Sequence, residues 1–157
     1  MSLHLDASDF AAMDDSQRLA VLEAMVAGVI ADNRVTPAEA RRFDEIVFDL
    51  PWGVDRAVLD AMIKGAKSRL TSLNLEQVKD YVMELATRLP TPELRDKVVF
   101  TMATLMLADG ELAQIEKNVL GLFVVSFGIT SERAEKIREA LHIAAPPSSP
   151  RREPETN

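Results

Sequence analysis

Apolar residues recur at spacings of three and four along almost the whole chain, and no segment sustains the alternation of a half-buried strand, so the pattern predicts an all-α fold. The first strong helix runs from about Asp15 to Ala31. Leu19, Leu22, Val26 and Val29 form one stripe, and Val21, Met25 and Ile30 widen it until the helix is mostly buried. A second helix starts at Thr36-Pro37-Ala38-Glu39: threonine suits the N-cap, proline the first helical position and glutamate the third, which together make a capping box. It should reach about Asp49 and bury Phe43, Ile46 and Val47, before Leu50-Pro51-Trp52-Gly53 breaks it. Trp52 is expected to anchor that loop in preference to sitting at an interface.

Asp55 can cap a third helix to about Leu70, with Val58, Leu59, Met62 and Ile63 inward, and Asn74 a fourth that ends near Arg88, ahead of Pro90. Thr91-Pro92-Glu93 opens a fifth. From Val98 to Leu107 only Thr101 and Thr104 interrupt its apolar surface, which places it at the centre of the bundle. A sixth, about Ala113 to Phe127, stops at Gly128, a residue suited to the left-handed C′ position, and Thr130 caps a seventh to about His142. The longest strongly apolar stretch, Val119 to Phe127, is roughly half of the ~20 residues a membrane helix needs, so it is expected to be core. Met25, Met62, Met83, Met102 and Met106, at helical spacing, read as core filler. The domain expected is a compact bundle of about seven helices over residues 15–144, preceded by a partly mobile segment, 1–14. A Pro-rich tail, 145–157, cannot bury enough surface to offset its ordering entropy and should be disordered.

Sliding the chain on itself by 77 positions superimposes two turns. Ala31-Asp32-Asn33-Arg34-Val35-Thr36-Pro37-Ala38-Glu39 aligns with Ala108-Asp109-Gly110-Glu111-Leu112-Ala113-Gln114-Ile115-Glu116, and downstream Phe43 and Ile46 align with Leu120 and Phe123. Both turns leave one apolar helix and enter another, so the bundle is expected to have two pseudo-symmetric halves. Asn33 and Gly110 tolerate positive φ and permit a tight reversal, Val35 and Leu112 can plug the joint, and Glu39 and Glu116 fall where a helix dipole favours a carboxylate.

Composition narrows the chemistry. With 157 residues, 47% of them hydrophobic, one domain with its own core is expected. The absence of cysteine excludes disulfides, zinc–thiolate sites and cysteine nucleophiles and fits a reducing cytoplasm. The first residues, Met1 to Asp6, lack a basic segment followed by an apolar run and so do not read as a signal peptide. A net charge of −7 argues against nucleic acid or anionic lipid and favours cations or basic protein partners. His4 and His142 fall near the chain ends, where neither is positioned as a general base or metal ligand. There is no phosphate-cradling glycine loop, His-Glu-x-x-His or Gly-x-Ser-x-Gly motif, so no enzyme is expected. Pro147-Ser148-Ser149-Pro150 fits a polyproline II ligand pattern too short to be specific.

The acidic residues of the turns admit two readings. Asp32, Glu39, Asp109 and Glu116, with Glu111 assisting, can converge about a pseudo-two-fold axis and offer oxygens to Ca²⁺ or Mg²⁺. Alternatively Glu39 completes a capping box with Thr36, Glu116 compensates its helix dipole, and the aspartates satisfy turn N–H groups. Ala113 stands where Thr36 does and weakens the capping account for Glu116. The turns are not EF-hands, because glycine is at position two of the loop and Leu120 at position twelve.

This pair of turns, in an acidic helical chain, resembles the TerB family of tellurite-resistance proteins and the related helical domain of DjlA-type membrane co-chaperones. The likeness covers roughly Asp15 to Leu141 and is sharpest at Ala108-Asp109-Gly110-Glu111-Leu112 and Glu116-Lys117-Asn118-Val119-Leu120. It implies a bundle of about seven helices with an acidic surface, acting in bacterial stress or tellurite-resistance systems as an assembly or sensing component that binds divalent cations. The partners implied are basic proteins or components of a membrane-associated complex. The chain itself would be cytoplasmic, without direct membrane insertion, and would reach the inner membrane only through them. The alternative is a co-chaperone-like interaction domain without metal. Arg34 stands where the second turn has Glu111, so the two turns do not offer the same ligands.

Overall fold

The computed structural model describes residues 3–30, 36–107, 112 and 114–144, the side chains of Leu75 and 142–144 excepted. Among the described residues there are eight helices and no strand: α1 (Ala7–Ala11), α2 (Asp15–Ile30), α3 (Pro37–Val47), α4 (Arg56–Thr71), α5 (Leu75–Arg88), α6 (Pro92–Met106), α7 (Gln114–Ser126) and α8 (Ser131–Ala144). The expected tail and the two turn segments 31–35 and 108–111 lie outside the described residues.

Local chemistry starts the helices where the sequence places them. Thr36, Asp55, Asn74, Thr91 and Thr130 each accept from the backbone N–H three residues on, at 2.9–3.3 Å, and each such cap is worth about 1 kcal/mol. After α7, Gly128 takes φ +69°, the left-handed conformation that lets the chain leave the helix without a Cβ penalty.

The core is built on α2 and α6, which make the most extensive helix–helix contact. Both are buried nearly all round, from Ala20 to Val29 and from Val98 to Met106 apart from the half-buried Thr104. Gly28 faces Met102 at this crossing, where a Cβ would stand 3.4 Å from the Met102 carbonyl oxygen, an ordinary van der Waals contact. α3 and α7 each pack on both central helices, α4 and α5 lean on α2, and α8 covers α6.

Several sequence expectations need correction. Ahead of Asp15, where the sequence reading places no helix, α1 seats the buried Phe10 edge-on against Trp52 at 4.8 Å and ties Asp9 to Lys97 at 2.9 Å. His4 meets the ring of Phe100 at 5.2 Å. Trp52 does anchor its loop: it is buried, and its Nε1 donates to the Val47 carbonyl at 2.7 Å. Met25, Met102 and Met106 are core, but Met83 is 59% exposed, and Val58 faces outward. In the stretch Val119–Phe127, Phe123 and Phe127 are buried and Val119, Leu120, Leu122 and Val124 pack half-buried against the core, whereas Val125 is 78% exposed, the most of any large apolar residue among those described. A run this apolar cannot bury all of its faces on a helix that packs along one side.

Candidate functional site

Of the five acidic residues singled out by the sequence, Glu39 and Glu116 are described, whereas Asp32, Asp109 and Glu111 lie outside the described residues. Glu39 is in the first turn of α3 and Glu116 in the first turn of α7, and both are buried, at 1% and 2% exposure. Their helices rest on the same central pair, α2 and α6. Glu39 makes the anticipated reciprocal cap: its Oε1 accepts from the Thr36 N–H at 3.0 Å, while the Thr36 hydroxyl accepts from the Glu39 N–H at 3.1 Å. The corresponding residues of other reciprocal caps, Asp9, Gln17 and Gln77, are half-buried or exposed. A cap alone does not demand full burial, and desolvating a carboxylate is costly unless its oxygens are satisfied.

Among the described residues no group of three or more His, Asp or Glu side chains is gathered closely enough to hold a metal ion. Two carboxylates alone fall short of the roughly six oxygens that Ca²⁺ or Mg²⁺ requires. Their chemistry nevertheless suits a hard cation, since both offer only oxygen.

A third buried acid escaped the sequence reading. Glu23 lies inside the apolar run of α2, and its side chain is held by two arginines from other helices. Arg88 of α5 donates from Nη2 at 2.8 Å, and Arg69 of α4 donates from Nε at 3.1 Å and also through Nη2. Arg88 further bonds the Ser16 carbonyl at 3.1 Å. Tyr81 adjoins this cluster, and burial, reinforced by the Glu23 charge, pushes its phenol well above the usual tyrosine range. The available signal was a single charge within ten consecutive residues of apolar helix, which in a core must be paired.

Two clefts open beside the core. One of about 260 Å³ lies where α3 and α4 diverge over α2, floored by Val26, Val29, Phe43 and Ile63. Another of about 180 Å³ lies between α4, α5 and α7, lined by Leu70, Val78, Tyr81, Val119 and Phe123. Neither is lined by Glu39 or Glu116, so these two carboxylates and the apolar clefts are separate features.

Among the described residues no helix is long and apolar enough to cross a membrane. No curated protein and no solved structure matches the chain. The family described as tellurite resistance protein TerB matches residues 18–139, from the start of α2 into α8. That span holds both turns, the buried Glu39 and Glu116, all of α6 and all but the first three residues of α2, and the chain therefore belongs to the TerB family.

Proposed function

We propose that the chain is a non-enzymatic bacterial stress-response module of the tellurite-resistance type, sensing divalent cations and assembling with protein partners through its two acidic turns. The observation that carries this reading is the burial of Glu39 and Glu116, 77 positions apart, each in the first turn of a helix that follows one of the repeated turns. α2 and α6 begin 77 positions apart, as do α3 and α7, which supports an internal duplication with two pseudo-symmetric halves. Asp32, Asp109 and Glu111 would complete an oxygen set for Ca²⁺ or Mg²⁺, with the turn containing Glu111 the stronger because Arg34 brings a positive charge to the other. The expected setting is the cytoplasm, with basic or membrane-associated proteins as partners.

Titration of the full chain with Ca²⁺ and Mg²⁺, followed by backbone amide shifts, tests the metal reading. Saturable movement between Asp109 and Glu116 that is lost in Glu116→Gln supports it, and unmoved amides at millimolar ion overturn it. The capping bonds of Glu39 favour a second reading, a co-chaperone-like interaction domain without metal, because capping gives that carboxylate a structural role of its own. Under it, capture of partners would fall when the turn acids are neutralised although no ion binds, and unchanged capture would count against it.

A further inference from the structure

The solvent face of α7 is unlike that of its counterpart, α3. At an offset of 77, Arg41, Arg42, Asp44 and Glu45 of α3 correspond to Asn118, Val119, Gly121 and Leu122 of α7. Four ionisable side chains on one helix are thus replaced by four uncharged residues on the other. Glu116 is buried, so Lys117 is the one charged residue on the exposed side of α7.

The uncharged residues form a seam. Gln114, Asn118, Gly121 and Val125, spaced four, three and four, are all exposed and run down the middle of the solvent face, with Ile115 beside them. Gln114 donates from Nε2 to Asn118 Oδ1 at 3.0 Å, which joins the two amides along the seam. Val125 stands out as a knob at 78% exposure, and one turn earlier Gly121 leaves a gap, with no atom within 4 Å of where its Cβ would be.

We propose that this face of α7 is the contact between two copies of the chain, paired antiparallel about a two-fold axis. A knob and a gap four residues apart on one helix are self-complementary, because a two-fold axis places each Val125 toward the partner's Gly121. Charge selects a second copy in the same way: two molecules of net charge −7 repel through most of their surfaces, and this is the helix face on which the repelling groups are missing. A basic partner, by contrast, would gain nothing from a face without acids.

Sedimentation equilibrium of the full chain, from micromolar to near-millimolar, tests the pairing. The expected result is a concentration-dependent species of twice the 17.3 kDa chain mass. Val125→Lys and Gly121→Lys should each weaken association at least about tenfold by placing unpaired like charges across the axis. Gly121→Lys has open space for its side chain and improves helix propensity, so it separates loss of pairing from loss of fold. Asp44→Lys, at the matching position of α3, should leave association intact. A wild-type chain that stays monomeric throughout overturns the proposal and leaves the face to a different protein, as does a dimer that persists in both lysine variants.

Discussion

Arg18 and Arg95, 77 positions apart, hold backbone carbonyls in the same manner. Arg18 donates from Nε and Nη2 to the Phe10 carbonyl at the end of α1, at 3.2 and 2.7 Å, and from Nη1 to the Trp52 carbonyl beyond α3, at 3.3 Å. Arg95 donates from Nε to Leu89 at 2.7 Å and from Nη2 to Ala86 at 2.8 Å, at the end of α5, and from Nη1 to Phe127 beyond α7, at 3.2 Å. Each guanidinium thus joins the C-terminal carbonyls of the preceding helix to the segment that ends the helix after the repeated turn. The rigid fork of arginine satisfies acceptors in both places at once, which lysine cannot do.

Removing either fork should therefore loosen two helix ends together. Hydrogen bonds to a charged group contribute about 1.5–3 kcal/mol each, but solvent screens these part-buried arginines, so Arg95→Ala is expected to cost about 3 kcal/mol and Arg18→Ala about 2. That corresponds to a fall in Tm of roughly 5–10 °C for a chain of this size. Urea unfolding followed by fluorescence of Trp52, the single tryptophan, measures it. Lysine at either position should restore less than half of the loss, and full rescue by lysine would show that the charge alone mattered.

Glutamine at position 39 distinguishes a cap from a ligand. Gln can accept the Thr36 N–H as Glu does, as Gln77 does from Asn74 at 2.9 Å in this same chain. Glu39→Gln should therefore keep stability within about 0.5 kcal/mol, whereas Glu39→Ala should lose about 1 kcal/mol or more. If Glu39 also serves a cation, the glutamine variant will bind Ca²⁺ or Mg²⁺ at least about tenfold more weakly despite its intact fold. Equal ion affinity in wild type and Glu39→Gln would remove this residue from the site.

What the sequence disclosed was the part of the structure determined locally. Thr36, Asp55, Asn74 and Thr91 announce their helices because capping is a contact between residues three apart. α1 was hidden because five residues cannot show a periodicity; its place depends on Phe10 reaching Trp52 and Asp9 reaching Lys97, contacts that no local pattern contains. The outward turn of Val58, Met83 and Val125 was illegible for a related reason: hydrophobicity says that a helix is buried, but its neighbours decide which side. For the candidate site, the position of Glu39 and Glu116 was readable from the repeat, while their nearly complete burial was not.

Glu23 is expected to be, with Arg95, among the most sensitive charged positions of the described fold. It is almost fully buried and bridges α2 to Arg69 of α4 and Arg88 of α5. Glu23→Ala would leave the largely buried Arg88 guanidinium without its buried counter-charge, with only the exposed Glu84 and the Ser16 carbonyl to hold it, at a cost of about 3 kcal/mol. Arg69 is half exposed and can turn to water, so Arg69→Ala should cost about 1 kcal/mol. A double-mutant cycle of Glu23 with each arginine should give the larger coupling for Arg88, and the reverse order would contradict this assignment.

The same cluster predicts a response to alkali at Tyr81. Burial first, and the Glu23 carboxylate second, raise the phenol above its ordinary value of 10.0 by penalising the phenolate. A proton held more tightly in the folded than in the unfolded chain means that the stability linked to Tyr81 is complete below pH about 10 and is lost as pH climbs from there toward the folded value. Tyr81 is the only tyrosine, so the 295 nm absorbance of tyrosinate reports it alone. The native chain should ionise well above pH 10 and the urea-unfolded chain near 10, and Glu23→Gln should bring the native midpoint part of the way down. A native midpoint at 10 would show that the hydroxyl is open to water and that the cluster does not enclose it.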